Sequence, residues 1–213
     1  MTQPPNNSPP EQGVPQDVLS HLPMELRMND PAQLKALADP LRMAILRALY
    51  TENPQTKKVP GRNAKQVCEL LGETRSPRIY HHIKLLLKAG LILKVHSIRR
   101  GNLVEDYFGP AARNVRLAKD LLQTATFGQD PIWMELIDSL LDATRRDLRL
   151  LDHQTPIEDM TFKHFNVLVD TSVEGGFREE LNALIEKYNI RKSDKSKAQR
   201  VLMVAYPAPQ KGG

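Results

Sequence analysis

The sequence contains a single cysteine, Cys68, and few aromatic side chains, which make up 5% of its 213 residues. One cysteine cannot form an internal disulfide, so we expect no disulfide framework and a reducing cytoplasm as the setting. The chain lacks any run of about 18 apolar residues, which argues against a membrane-spanning helix. Its first residues lack the basic start and apolar core of a secretory signal, so none is expected.

Catalytic and metal-binding motifs are also missing from the sequence. There is no glycine-rich phosphate loop between a strand and a helix, no nucleophile motif and no metal quartet. Glu174-Gly175-Gly176 indicates only a turn. A soft-metal site needs two or more thiolates, or thiolates with imidazoles, so Cys68 is expected to act as a small buried hydrophobe. We therefore predict a protein that is not an enzyme and that holds no cofactor or metal.

Positive charge is concentrated in one part of the chain. The whole sequence carries a net charge of +5, but residues 51–110 contain eleven Lys or Arg against five Asp or Glu. That segment is therefore +6, and the remainder is −1. A local excess of cations is typical of a surface that binds a polyanion. A solvated basic face without a ligand is the alternative, and charge alone does not separate the two.

A short helix is predicted over residues 76–89, because residues suited to helix termini mark both of its ends. Ser76 is a good N-cap, and Pro77 suits the first helical position, where a missing N–H costs nothing. Gly90 can take the left-handed conformation that ends a helix. The pattern predicts that the chain passes from this glycine directly into a strand.

This helix is predicted to have one apolar face and one basic face. Ile79, Ile83 and Leu86 follow the four-then-three spacing of a buried stripe. A helix with one face in the core and the other lined with cations fits the major groove of DNA. The basic side carries Arg75, Arg78, His81, Lys84 and Lys88.

The segments before this helix complete a helix-turn-helix pattern. Residues 30–50 are predicted to be helical, opened by Asp30-Pro31 and broken or kinked near Pro40. After a loop rich in proline and glycine, Asn63 can cap a short helix that ends near Leu71. Two short helices joined by a tight turn, after a longer first helix, form this motif. The inward side chains of the capped helix are predicted to be Val67, Leu70 and Leu71.

A two-stranded hairpin is predicted after the basic helix. Residues 91–100 and 103–108 have strand character, and Arg100-Gly101-Asn102 between them is a turn signal. A hairpin in this position is called a wing, and wings lie along the phosphate backbone or tip into the minor groove. Arg99 and Arg100 at the tip are placed for either contact.

A long helix is predicted from Asp130-Pro131 to about residue 151. Its apolar residues repeat every three or four positions, a pattern suited to pairing with a second copy. Packing on its own domain is the alternative. The stripe consists of Trp133, Ile137, Leu140, Leu141, Thr144, Leu148 and Leu151.

After Pro156 the pattern predicts a small β-α-β unit, with strands at residues 162–169 and 200–206 around a helix at 177–188. Such a unit is too small to close a core alone, so it is expected to pack on the helices or on a second subunit. Dimerisation or bracing of the wing is the preferred role, and ligand sensing is the second.

The predicted fold class is α+β and mainly helical. Short helices are also expected within residues 17–29 and over residues 111–124. The predicted parts are a disordered proline-rich tail at 1–16, a winged helix-turn-helix domain at 17–125, a long dimerisation helix at 130–155, a β-α-β domain at 156–207 and a tail at 208–213.

Three segments resemble ArsR-like winged helix-turn-helix regulators. Residues 37–46 (LADPLRMAIL) resemble the first core helix, and residues 79–92 (IYHHIKLLLKAGLI) resemble the recognition helix and the entry to the wing. Residues 99–108 (RRGNLVEDYF) resemble the wing of the Tyr-His-His branch. The resemblance covers about residues 30–125, and PadR-like regulators, which share a similar Tyr-x-His element, are the nearest alternative.

The resemblance implies a homodimeric bacterial or archaeal transcription factor that binds pseudo-palindromic operators, with repression as the family default. Many relatives sense metals through paired cysteines in the helix corresponding to residues 64–71, or through Asp and His on the terminal helices. This chain has only Cys68 in the first position and Asp147, Asp152 and His153 in the second. We therefore expect double-stranded DNA and a second copy as partners, leave open a small-molecule effector, and expect a cytoplasmic, nucleoid-associated protein with no membrane contact.

Individual roles can be assigned along the basic helix. Arg78 and His81 are the best candidates for base contacts, with a phosphate contact as the alternative for Arg78. Tyr80 is expected either in the core or on a phosphate, and His82 is expected to pack and hydrogen-bond within the domain. A protein-interaction module or an architectural DNA-binding module is the alternative function. The predicted DNA-binding set is Arg75, Ser76, Arg78, Tyr80, His81, Lys84, Lys88, Lys65, Arg99 and Arg100.

Overall fold

The computed structural model describes residues 13–53, 55–73, 76–118, 121, 130–149, 151 and 174–188. The chain divides into two compact units, residues 1–150 and 151–213. The first unit has the mainly helical α+β architecture of a winged helix-turn-helix domain, as the sequence predicts. Its helices are α1 (Pro31–Leu37), α2 (Pro40–Leu49), α3 (Ala64–Leu70), α4 (Ser76–Lys88) and α5 (Ile132–Arg149). Its strands are β1 (Glu25–Met28), β2 (Ile92–Arg100), β3 (Leu103–Pro110) and β4 (Asn114–Leu117).

The break predicted near Pro40 is confirmed, and side-chain caps define the two helices on either side of it. The Asp30 carboxylate accepts a hydrogen bond from the Ala32 N–H at 2.8 Å and begins α1. The Asp39 carboxylate accepts one from the Arg42 N–H at 2.8 Å and begins α2, with Pro40 in the first turn. Because proline lacks an N–H and fixes φ, it starts a helix far better than it continues one.

The core of the first unit is formed by α1 to α4 together with the base of the hairpin and the buried side of α5. The predicted stripe of Ile79, Ile83 and Leu86 is fully buried and belongs to the same apolar cluster as Ile45 and Leu49 of α2. Complete burial of three large aliphatic side chains fixes the rotation of α4 about its axis, so its remaining face is turned to solvent.

Helix α3 packs less completely than predicted. Asn63 caps it, since the Asn63 side chain accepts a hydrogen bond from the Gln66 N–H at 2.8 Å. Val67 is fully buried and Leu71 is partly buried, but Leu70 is 39% exposed and does not belong to the core. A seven-residue helix makes only two turns, so one narrow stripe suffices to attach it.

The predicted wing is confirmed. Strands β2 and β3 pair antiparallel, with Ile92 opposite Pro110 at the base and Arg100 opposite Leu103 at the tip. A shift in register lies between Lys94 and His96. Gly101 in the connecting turn has a φ of +62°, a conformation that L-residues with side chains rarely adopt.

Two of the predicted helices are wrong over part of their length, where the structure has strands. The region at residues 17–29 contains one short 3-10 turn at Leu19–His21 and then strand β1. In the region at 111–124, residues 114–117 form strand β4, which pairs parallel with β1 from Glu25–Asn114 to Met28–Leu117, whereas Leu121 is helical as predicted. Strand formation here depends on a partner nearly ninety positions away, which no local pattern reveals.

The disordered tail predicted for residues 1–16 is wrong for residues 13–16, which are packed on the domain. Val14 is buried, and the Pro15 carbonyl accepts a hydrogen bond from the Gly61 N–H at 2.9 Å. Residues 1–12 lie outside the described part. One apolar side chain and one backbone hydrogen bond are enough to attach this segment.

The long helix predicted from Asp130-Pro131 is confirmed as α5, and the Asp130 carboxylate accepts a hydrogen bond from the Ile132 N–H at 3.0 Å. Its buried residues are Leu136, Ser139 and Ala143, which face α1 and α2. Two residues of the predicted pairing stripe, Trp133 and Leu140, pack against this same core and are partly buried. The stripe is therefore divided between two faces of the helix.

The described part of the second unit is one helix, α6 (Glu174–Tyr188). It begins earlier than predicted and includes Gly175 and Gly176, which were expected to precede it. The strands predicted at residues 162–169 and 200–206 lie outside the described residues. Within the part that the structure describes, no helix is long and apolar enough to cross a membrane.

Candidate nucleic-acid interface

The solvent face of α4 is basic and carries the predicted DNA-binding residues that lie within this helix. Arg78, His81, Lys84 and Lys88 are all exposed. Tyr80 shares this face: it is 41% exposed, and the Lys84 ammonium lies 4.8 Å from the centre of its ring. The core position considered for Tyr80 is therefore wrong, because the buried side of α4 is already filled by aliphatic residues.

Arg75, Ser76 and Lys65 are the members of the predicted set that precede Arg78 in the sequence. The helix begins at Ser76 itself, and the side chains of Arg75 and Ser76 lie outside the described part. Lys65 is exposed on α3, where its ammonium lies 4.0 Å from the Glu69 carboxylate. An exposed pair at this distance contributes little to stability, so the Lys65 side chain can turn to another anion at small cost.

The turn before α4 is held by contacts from a distant helix. The Arg146 guanidinium of α5 lies 3.2 Å from the Glu73 carboxylate and donates to the Leu71 carbonyl at 3.4 Å. The Cys68 thiol lies 2.9 Å from the Glu73 carbonyl. Burial raises the pKa of Cys68, with Glu73 and Glu69 adding to the effect, so this cysteine is kept as a thiol.

His82 lies at the border between the two faces of α4. Its side chain is mostly buried, as predicted, and its Nδ1 lies 3.8 Å from the Asp39 carboxylate. That distance is too long for a hydrogen bond, and no other described residue supplies one to Nδ1, so the predicted hydrogen bond is not observed. Burial lowers the pKa of His82, and the Asp39 carboxylate opposes this only in part.

The wing carries its cations on strand β2, two of them at the tip. The Arg99 guanidinium donates to the Gly101 carbonyl at 3.3 Å, and the Arg100 Nε lies 3.4 Å from the Glu105 carboxylate. Both arginines are exposed, as predicted for groups that contact phosphates. Nearer the base, the Lys94 ammonium lies 3.6 Å from the Asp106 carboxylate.

Glu105 attaches the wing to the helix-turn-helix. Its Oε1 accepts a hydrogen bond from Asn63 Nδ2 at 2.8 Å, and its Oε2 accepts one from the Tyr107 hydroxyl at 3.2 Å. Asn63 therefore serves two elements, because its side-chain oxygen caps α3 and its amide nitrogen binds the wing. No local pattern in the sequence indicates this contact, since capping alone explains an asparagine at that position.

A buried arginine strengthens the same junction. The Arg62 guanidinium donates to the Ala48 carbonyl at 3.1 Å and to the Thr51 carbonyl at 2.6 Å, at the end of α2. The backbones of Arg62 and Phe108 exchange hydrogen bonds, which joins this corner to β3. Burial lowers the pKa of Arg62 to about 10, so the group remains charged at neutral pH.

Other chemistry is sparse in the described residues. They contain no group of three or more His, Cys, Asp or Glu side chains able to hold a metal ion. One open cleft of about 360 Å³ is lined by Pro40 and by the end of α5, with Asp142 and three arginines at its wall. The structure thus combines a basic helix and a basic hairpin, with no catalytic arrangement in the part described.

Comparison with protein families agrees with this geometry. Residues 37–95 match the family described as a helix-turn-helix domain, a span that includes α2, α3, α4 and the beginning of β2. No curated protein matches the chain. The fold, the basic face of α4 and this match together define a helix-turn-helix protein. They support the function of this class, a DNA-binding regulator of transcription with DNA as its partner.

Proposed function

We propose that the protein is an ArsR-like, sequence-specific repressor of bacterial transcription that binds a pseudo-palindromic operator as a homodimer in the cytoplasm. The observation that carries the proposal is the division of α4 into a fully buried aliphatic face and an exposed basic face. The buried face fixes the rotation of the helix, and the basic face then presents a defined set of donors. A defined set of donors is what reading base edges requires.

In the proposed complex, α4 lies in the major groove. Arg78 and His81 are separated by slightly less than one helical turn on the exposed face. Both lie near the N-terminal end of α4, the end that helix-turn-helix proteins direct toward bases. A bidentate contact from an arginine to guanine contributes about 1–3 kcal/mol of discrimination. Lys84 and Lys88, farther along the helix, are suited to phosphates.

The wing supplies a second contact to the DNA. Its arginines project from the end of a hairpin that Glu105 and Arg62 hold against the helix-turn-helix. A hairpin fixed in this way can meet the backbone or the minor groove without a large loss of conformational entropy on binding. Each phosphate neutralised by Arg99 or Arg100 should steepen the slope of log affinity against log salt concentration by about 0.9.

Dimer formation is proposed to use the exposed apolar residues of α5. Met134, Leu141 and Leu148 are each between 44% and 47% exposed, and Ile137 is half-buried beside them. These four residues, called here the exposed α5 stripe, have the three-four spacing of a helix-pairing seam. A symmetric dimer would bury the stripe and place two copies of α4 to read an inverted repeat.

The proposal is tested by selecting bound sequences from a random duplex pool with the full chain at near-physiological salt. An enriched inverted repeat is expected. Arg78→Ala should then weaken binding to that repeat about tenfold or more while binding to random duplex falls much less. The matched control is Arg27→Ala, which removes the same charge from an exposed position on β1, outside the helix-turn-helix and the wing.

Three outcomes would contradict this proposal. If no motif is enriched and binding disappears as salt rises, the protein is an architectural DNA-binding module without operator specificity. If no duplex is retained even at low salt, the winged helix serves protein interaction. If a motif is found but Arg78→Ala and Arg27→Ala bind it equally well, α4 does not read bases through Arg78.

A further inference from the structure

Two large aliphatic side chains are exposed side by side at the tip of the wing. Leu103 is 76% exposed and Val104 is 63% exposed, compared with 43% for Leu93 near the base of the same hairpin. Successive residues of a strand point to opposite faces, so exposure of both shows that neither face of the tip is covered by the domain. Scattered apolar residues are common on protein surfaces, but an adjacent pair at a projecting tip is a distinct arrangement.

The pairing register places one arginine beside each aliphatic residue. Arg100 is opposite Leu103, and Arg99 is opposite Val104. Residues opposite each other in an antiparallel pair share one face, so each face of the tip carries a guanidinium next to an aliphatic group. A partner for this tip must therefore offer anionic groups and apolar surface within the width of one hairpin.

The tip is also held in place. Gly101 provides the tight turn, and the Arg100 guanidinium lies beside Glu105, whose other oxygen is bound by Asn63. Val104 is β-branched, which restricts its side chain to few rotamers. Aliphatic groups on such a fixed support lose little entropy when they become buried in a partner.

We propose that Leu103 and Val104 are apolar wedges that enter the DNA minor groove and contact sugars and base edges there, while Arg99 and Arg100 bind the flanking phosphates. This inference rests on the proposed function. The charge of the tip favours DNA over an apolar protein surface, because burying two guanidinium groups there would require acidic partners. Apolar side chains in the minor groove unstack base steps and bend the duplex, so this wing would favour operators with flexible pyrimidine–purine steps at its contact point.

The test uses the full chain, its selected operator labelled with a fluorescent pair that reports bending, and the variants Leu103→Ser and Val104→Ser. Leu103→Ser should reduce affinity about tenfold and reduce the bend, while the slope of affinity against salt stays unchanged. Arg100→Gln should lower that slope by about 0.9. Leu93→Ser, a matched loss of apolar surface lower in the hairpin, should change neither bend nor affinity.

The outcomes separate this inference from the function on which it rests. Unfolding of Leu103→Ser by urea should match that of the unaltered protein, because the side chain is mostly exposed. One result would be that the unaltered protein binds its operator while Leu103→Ser and Val104→Ser bind and bend it equally well. That result would contradict insertion of these side chains into the minor groove but would leave the proposed regulatory function intact. If Leu103→Ser lowers the salt slope, it acts by misplacing arginines, which also overturns the wedge. If the unaltered protein binds no duplex, both proposals fail together.

Discussion

Helices α4 and α5 are both amphipathic, yet they leave different chemistry exposed. The apolar residues of α4 form a single stripe, and the three that define it are completely buried. The apolar residues of α5 cover two faces, since Leu136 and Ala143 are buried in the domain while Leu141 and Leu148 are exposed. A single buried stripe attaches a helix, whereas a second apolar face calls for another surface to cover it.

The exposed faces accordingly suit different partners. Around α4 the solvent side is formed by arginine, lysine and histidine, which suit a polyanion. On α5 the solvent side includes aliphatic residues, which suit a protein surface and are unfavourable in water. Substitutions on α4 should therefore change DNA binding, and substitutions on the exposed side of α5 should change association between copies of the protein.

The largest effect is expected for Ile83→Ala on the buried face of α4. Removing these atoms from a fully buried site leaves a cavity and should lower the free energy of unfolding by about 2–5 kcal/mol. The neighbouring variant Lys84→Ala, on the exposed face, should change it by less than about 0.5 kcal/mol. Urea unfolding of both variants measures the difference.

DNA binding should reverse that order of effects. Lys84→Ala should weaken binding to all duplexes and reduce the salt slope by about 0.9, while folded Ile83→Ala keeps the slope of the unaltered protein. Equal stability losses for the two variants would show that α4 is rotated relative to the arrangement described. That result would contradict the division of α4 into a buried aliphatic face and an exposed basic face.

The second effect concerns the exposed α5 stripe. The double variant Leu141→Ser, Leu148→Ser should shift the protein from dimer to monomer, raising the dimer dissociation constant by a factor of ten or more. Sedimentation equilibrium of the full chain measures this. Glu135→Ser, on the same helix but away from the stripe, is the control and should remain dimeric. A double variant that dimerises as well as the unaltered protein would leave α5 without a role in pairing.

A smaller effect is expected where the two helices are connected. Arg146→Gln removes the guanidinium that joins α5 to Glu73 and to the Leu71 carbonyl, just before α4. A partly exposed contact of this kind contributes about 0.5–1 kcal/mol, so operator affinity should fall a few-fold as α4 becomes less fixed.

Arg145→Gln is the matched control for this connection. Its guanidinium pairs with the Asp142 carboxylate within α5 at 2.8 Å. It should leave operator affinity within a factor of two of the unaltered protein. Equal losses for Arg145→Gln and Arg146→Gln would indicate a general effect of charge on α5, and the link to the turn would carry no special weight.

The elements that depend on local sequence were predictable. Caps, proline and glycine positions and the apolar spacing were sufficient to predict α2, α3, α4 and the wing, with Pro40 as the break. Strands β1 and β4 were not predictable, because each exists only through its pairing with a partner far away in the sequence. A short segment with no strong period has no local signal for that choice.

The candidate site was predictable in part for the same reason. The exposed cations of α4 and of the wing follow from periodicity, so Arg78, His81 and Arg100 are where the pattern places them. Glu105 and Arg62 act through contacts with residues far away in the sequence, and nothing in their neighbourhoods indicates them. On α5 the period predicted a helix, but which apolar residues are buried depends on the rotation set by α1 and α2.

The smallest effect is expected for the pH dependence of stability, through His82 at the border between the two faces of α4. Burial lowers its pKa below the unfolded value of about 6.5, with Asp39 opposing and Arg42, His81 and Arg78 assisting the shift. The unfolded chain therefore binds a proton more readily than the folded protein. Stability contributed by neutral His82 is fully present above about pH 6.5 and is lost as pH falls from there through the folded pKa.

Urea unfolding at pH 7.5 and at about pH 5.5 should then show a loss of stability on acidification that is reduced in His82→Gln, because glutamine does not titrate. His81→Gln, the control on the exposed face, should retain the full loss, since the His81 side chain lies outside the core. If His82→Gln loses as much stability as the unaltered protein, the pH dependence comes from other groups and not from His82. If it loses less, the buried side of α4 includes a titratable group whose protonation opposes the packing of the helix. In that respect His82 differs from the aliphatic residues beside it, whose packing does not depend on pH.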